Sequence, residues 1–174
     1  MRRIAVPFVT LLLAGAVTLV APVAAAAAPP HSGVPSGAAA GDLPGPYIQG
    51  PLVGYLDKCV TARIHSLAYW YNALYYPCSG AADQVVKQAV GGTLEYKGLC
   101  MMPEPERWRR ETPVVFDDCL GGSNEQWEFR DDGTIRNAWT NLCLDVPRAS
   151  SQDGIRLILW DCVGGVNQRW RIAV

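Results

Sequence analysis

Cys143-Leu144-Asp145-Val146, then Leu157-Ile158-Leu159-Trp160-Asp161-Cys162, then Asn167-Gln168-Arg169-Trp170: these three phrases decide the fold. Apolar residues alternate over residues 142–146, the pattern of a half-buried strand. Residues 147–154 hold Pro, Ser, Gln, Asp and Gly and read as a loop. Residues 156–160 read as a strand ending on Trp160, and residues 163–165 as a turn. Residues 168–172 read as a last strand with Trp170 as its central aromatic, and residues 133–136 lead into a first strand.

The same unit recurs upstream. The cysteines fall in pairs nineteen positions apart: Cys59 and Cys78, Cys100 and Cys119, Cys143 and Cys162. Six residues beyond each second cysteine stands Gln84, Glu125 or Gln168, and two further on Val86, Trp127 or Trp170. The pairs start 41 and 43 residues apart. A fixed internal period outranks any local propensity in choosing a fold. Four short strands taken three times, with no convincing amphipathic helix, mean an all-β sandwich or barrel. Six cysteines in an exported chain read as a disulfide framework, with fifteen pairings open on count alone.

The third unit resembles the ricin-type repeat, the family with a Gln-x-Trp signature. The resemblance runs over residues 50–174 and implies a β-trefoil of three four-stranded repeats, about 51–90, 91–131 and 132–174. It also implies that the cysteines pair within each repeat: Cys59 with Cys78, Cys100 with Cys119, Cys143 with Cys162. It places Trp127 and Trp170 in the core, with Val86 as an apolar substitute.

What the resemblance implies about function is a carbohydrate pocket inside one repeat. Its parts are an Asp accepting hydrogen bonds from sugar hydroxyls, an aromatic ring stacking on the sugar's C–H face, an Asn adding a polar contact, and a supporting Gln. The third repeat matches at Asp145, Trp160, Asn167 and Gln168. It departs at Ile158, where many members carry Gln. The second repeat fails: Met102 and Asp117 replace the Asp and the ring, Glu125 replaces the Gln, and only Asn124 agrees. The first repeat is intermediate, with Thr61 for the Asp, and Tyr76, Asp83 and Gln84 as a weaker second site. The chemistry is general: a pyranose needs a flat apolar surface and a few fixed polar partners, and a carboxylate is a strong acceptor.

The ends of the chain set its context. Arg2 and Arg3, an apolar stretch over residues 4–23 and an Ala-rich end read as a secretory signal peptide over residues 1–28. A retained membrane anchor is the rival reading. Residues 29–50, rich in Pro, Gly and Ala, read as a flexible tether before a domain over residues 51–174. After signal cleavage no span remains and the protein is secreted. Thirteen basic and sixteen acidic residues then remain, a formal charge of −3. A mildly acidic protein lacks the basic face that nucleic acid requires.

An enzyme is disfavoured. His31 lies in the tether, leaving His65 as the folded region's histidine, with no nucleophile turn near it. Bridged cysteines leave neither a thiol nucleophile nor a thiolate metal site. No cofactor or metal is expected. Asp118 and Asp161 read as turn or surface residues. Residues 104–111, a mixed-charge run around Trp108, read as a solvated loop, with Trp108 alternatively as a protein or glycan anchor. Tyr69, Trp70, Tyr71, Tyr75 and Tyr76 read as packing ahead of a contact patch. The function expected is lectin-like binding of a galactose-like sugar or polysaccharide. The alternative is a protein-interaction trefoil with a secreted partner, a hydrolase inhibitor or toxin delivery subunit.

Overall fold

The structure, a computed structural model, describes residues 47–65 and 69–174. The stretches read from the sequence as a signal peptide and, up to residue 46, a tether lie outside the described residues. Short segments, many of them stopped by a Gly, Pro or Asp turn, form thirteen strands among the described residues. The first repeat holds β1 (Ile48–Val53), β2 (Lys58–Ile64), β3 (Tyr71–Pro77) and β4 (Val85–Gln88). The second holds β5 (Leu94–Tyr96), β6 (Leu99–Pro103), β7 (Val114–Asp118) and β8 (Trp127–Phe129). The third holds β9 (Ile135–Asn137), β10 (Cys143–Asp145), β11 (Ile155–Arg156), β12 (Ile158–Trp160) and β13 (Arg171–Ile172).

The fold is the all-β trefoil. Neighbours run β3-β2-β1-β4-β5-β6-β7, and β7 returns to β3, so this part of the sheet closes on itself. The last strand, β13, pairs with the first, β1, at Leu52↔Ile172 and Val53↔Arg171. Strand β1 begins at Ile48, three residues before the domain start read from the sequence. Ile48, Gln49 and Gly50 pair with Gln88, Lys87 and Val86. This pairing is carried by backbone, so the Gly- and Pro-rich composition concealed it.

Thirteen strands stand where four per repeat were expected, because the third strand of repeat three divides. Its first half, β11, pairs with β3, and its second half, β12, pairs with β10. Between them the backbone of Leu157 donates to Ala73 and accepts from Val114, one bond to each neighbouring repeat. Gln168 also departs from its expected place in the last strand. It ends a 3-10 turn, Val166–Gln168, and the strand itself is only Arg171–Ile172.

The core gathers corresponding positions of the three repeats: Val60, Met101 and Leu144, with Tyr75, Phe116 and Leu159. Trp127 and Trp170 are buried there, as is Val86. Burying an indole requires a partner for its N–H. Trp127 donates to the Met101 carbonyl at 2.7 Å and Trp170 to the Leu144 carbonyl at 3.0 Å. The disulfides join Cys59 to Cys78, Cys100 to Cys119 and Cys143 to Cys162. Each closes a loop whose restriction in the unfolded chain contributes about 3 kcal/mol.

Candidate functional site

Strands β10 and β12 pair at Cys143↔Trp160, Leu144↔Leu159 and Asp145↔Ile158. Successive side chains on a strand point to opposite faces. Leu144 and Leu159 enter the core, so Asp145, Ile158 and Trp160 share the outer face. The register thus turns one hairpin into a surface with a carboxylate at one end and an indole at the other.

Asp145 is 3% exposed. Its Oδ2 accepts from Gln168 Nε2 at 2.7 Å and from Asn167 Nδ2 at 3.0 Å. Its other oxygen, Oδ1, takes no hydrogen bond from the described residues. Burial pushes the carboxyl above the usual carboxylate range, and the bonds from Gln168 and Asn167 draw it part of the way back. One oxygen is held by the protein and the other is left for an incoming donor.

Gln168 is 0% exposed and stands behind Asp145, outside the cleft lining. Its Oε1 accepts from the backbone of Val163 and Gly164, and its Nε2 also donates to the Asp161 carbonyl. With those positions filled, Gln168 holds Asp145 in place. Asn167 does line the cleft, and it is tied by Nδ2 to the Val146 carbonyl at 3.1 Å. Glycine two residues earlier is part of this arrangement. A Cβ at Gly165 would meet Asn167 Oδ1 at 2.7 Å, and one at Gly122 would meet Asn124 Oδ1 at 2.2 Å.

A cleft of about 580 Å³ opens on these groups. Asp145, Ile158, Trp160 and Asn167 line it from the third repeat, joined by Pro147, Arg148 and Val163. Its remaining wall is Glu111, which belongs to the second repeat. The loop over residues 104–113 is exposed over most of its length, as its charges imply, yet its end is laced onto β12. Glu111 N–H donates to the Leu159 carbonyl, and Leu159 N–H donates to the Thr112 carbonyl. Arg110 lies 5.9 Å from the Trp160 ring centroid and is paired with the Asp161 carboxylate. Reading the sequence missed Glu111, Arg110, Pro147, Arg148 and Val163. Nothing in the third repeat's spacing points to a loop some forty positions upstream.

The other two repeats differ in kind. In the first, Gln84 donates to Thr61 Oγ1 at 3.0 Å, repeating the support without the carboxylate. Arg63 lies 5.9 Å from the Tyr76 ring centroid and pairs with Asp83 at 3.2 Å. The ring and acid of that repeat are therefore engaged with Arg63, and Ala81 stands at the position of Gly122 and Gly165. In the second, Glu125 accepts from Leu120 and Gly121, and Asn124 reaches only the Met102 sulfur, at 3.7 Å. Glu125 also lies beside Cys100 and Cys119, the group of potential metal-ligand atoms found among the described residues. Those sulfurs form a disulfide and are not thiolates.

Comparison with known proteins bears on the family and the fold. Residues 49–170 match the model of the ricin-type beta-trefoil lectin domain. A designed 3-fold symmetric protein, ThreeFoil, superposes with a TM-score of 0.65 at 26% identity, over 72% of this chain and 99% of that one. An agglutinin from Abrus precatorius superposes with a TM-score of 0.65 at 21% identity, over 73% of this chain and 48% of its own. A non-toxic homologue of type II RIPs from Momordica charantia (bitter gourd), solved in complex with alpha-methyl-D-galactoside, gives 0.65 at 20%, with the same coverage. This chain spans about half the length of either plant protein.

Proposed function

The chain belongs to the ricin-type beta-trefoil lectin domain family, and from that membership we propose that it is a secreted carbohydrate-binding protein whose working site is the third-repeat cleft. The observation that carries the reading is Asp145. A buried carboxylate is held through one oxygen by Asn167 and Gln168, with its other oxygen free, in the cleft that Trp160 lines. Sugar hydroxyls donate to the free oxygen, Trp160 takes the C–H face of the ring, and Asn167 adds a polar contact. A galactose-like residue is the sugar we favour, supported by the galactoside bound in the fold-related bitter gourd protein. Binding through a single such site is weak unless several copies engage one surface. The reading assigns no catalytic group, cofactor or metal.

The test is a glycan array probed with the purified protein beside Asp145→Ala and Asp145→Asn. Binding of a defined glycan class, lost in both variants while the thermal melt is retained, supports the site. Binding that ignores Asp145 sinks it. One observation favours a second reading, a protein-partner trefoil acting as a hydrolase inhibitor or toxin delivery subunit. Trp108 and Trp139, 54% and 52% exposed, meet edge to face with centroids 5.6 Å apart. Exposed indoles beside arginines are the usual anchors of protein interfaces. Loss of a co-purifying partner in Trp108→Ala, with no glycan bound by the parent, is the outcome that reading requires.

A further inference from the structure

The third-repeat cleft borrows a wall from its neighbour, and that wall carries an unused charge. Glu111 lies in the second repeat's loop, but its backbone is fixed to the third repeat by its bond to the Leu159 carbonyl at 2.8 Å. The next residue, Thr112, accepts from the backbone of Leu159, and its hydroxyl accepts from Arg109 N–H at 3.1 Å. Glu111 therefore does not sit on a free loop tip. Its φ is 65°, in the left-handed region that a residue with a side chain enters at a cost. Conformations of this kind persist where the surroundings enforce them, and they gather at binding sites.

Its carboxylate has no hydrogen bond or ion pair among the described residues, although two arginines, Arg109 and Arg110, precede it in the chain. Arg110, next to it, is turned to Asp161. The acceptor capacity of Glu111 is thus available to the cleft it lines. The cleft is also large for one sugar ring. At about 580 Å³ it falls among pockets that hold drug-sized ligands. Asp145 and Trp160 already supply an acceptor and a stacking surface for one pyranose. Glu111 and Arg148 are polar groups left over, and Ile158 contributes no hydrogen bond.

We propose that Glu111 is a specificity-determining residue of the third-repeat cleft, accepting hydroxyl hydrogen bonds from a second sugar, so that the site takes a disaccharide or longer glycan. The proposal rests on the carbohydrate-binding reading. The second repeat, which lacks the acid and ring of a site of its own, then serves binding by completing its neighbour's. A glycan is held at one end by Asp145 and Trp160 and at the other by Glu111. A single sugar reaches only the first set.

The experiment is calorimetric titration of the purified full chain with three disaccharides, each beside its methyl monosaccharide. These are lactose with methyl β-galactoside, cellobiose with methyl β-glucoside, and diacetylchitobiose with methyl N-acetyl-β-glucosaminide. The proteins are the parent, Asp145→Asn, Glu111→Gln and Glu111→Ala, with thermal melts confirming the fold. Asp145→Asn is expected to weaken both members of whichever pair binds. The Glu111 variants are expected to weaken the disaccharide by about tenfold or more, the loss of one hydrogen bond to a charged group, and to leave the monosaccharide unchanged. Glu111 variants that bind the disaccharide like the parent, or weaken both members equally, overturn the role of Glu111 and leave the site itself standing. Binding independent of Asp145, or no binding by the parent in any pair, overturns the carbohydrate reading and the inference with it.

Discussion

Gln168 Nε2 donates to Asp145 Oδ2 at 2.7 Å, and both residues are buried. An amide N–H opposite a carboxylate favours its charged form and so opposes the effect of burial. In the second repeat the corresponding residues are Glu125 and Met102, where there is no acid to hold and no amide to hold it. Gln168→Glu places a second carboxylate against Asp145. A buried charge without a partner costs about 3–5 kcal/mol. We expect a correspondingly lower melting temperature and loss of glycan binding, read by thermal denaturation and titration.

The pH dependence follows from Asp145. Burial raises its carboxyl above the usual range. Acidification should therefore abolish glycan binding at a higher pH than an ordinary aspartate would dictate, as seen by titrating affinity from neutral pH downward. The sign for stability is opposite. A carboxyl raised in the folded state contributes stability that is fully present below its unfolded pKa and lost as pH rises through its folded one. The ionised group thus costs stability at neutral pH. Asp145→Asn should melt no lower than the parent there, while binding falls by about tenfold or more. A large drop in melting temperature would show Asp145 to be a structural residue instead.

Trp160 and Tyr76 occupy matching positions and should behave differently. Each ring has an arginine 5.9 Å from its centroid, but Trp160 lines an open cleft with Asp145, whereas the repeat of Tyr76 has Thr61 in place of the carboxylate. Trp160→Ala should lower glycan affinity by about tenfold or more, the effect of removing an aromatic anchor. Tyr76→Ala should leave it unchanged. Titration of both variants with the same glycan checks this, and an equal loss in the two would place a working site in the first repeat.

Gly54 packs against the indole of Trp170. A Cβ there would lie 2.5 Å from the ring, and the ring is pinned by its bond to Leu144. Overpacking of this kind costs about 1–3 kcal/mol. Gly54→Ala should lower the unfolding free energy by that amount, seen as a lower urea midpoint at unchanged slope, with unchanged glycan affinity of the folded protein, measured by urea unfolding and titration.

The threefold repeat was legible because its unit recurs, and the bridges and buried indoles through the family that the unit resembles. Cys143, Cys162 and Trp170 recur at constant offsets, and a constant offset survives the loss of any single residue in one copy. Asp145, Trp160 and Asn167 do not recur as a set in the other repeats; they were marked by the resemblance of the third repeat to the ricin-type unit. The division of β11 from β12 was not, since Arg156, Leu157 and Ile158 form an unbroken apolar-rich run. Only the neighbours that Leu157 bonds to, Ala73 and Val114, reveal the break. Likewise Ala81 against Gly165 is a one-methyl difference, and its meaning appears only with the Asn167 oxygen beside it.

The sequence by itself determined the three repeats, the partners of the cysteines through the family they resemble, and which repeat keeps an acid, a ring and an amide. These are local properties, carried by residues within one unit. Tertiary structure alone decided that Arg63 lies beside Tyr76 and Asp83, and that Glu111 walls a cleft in another repeat. Those relations depend on where closure of the sheet brings distant segments. Hydrophobic burial drives that closure but carries no record, at Glu111 itself, of the strand it will meet.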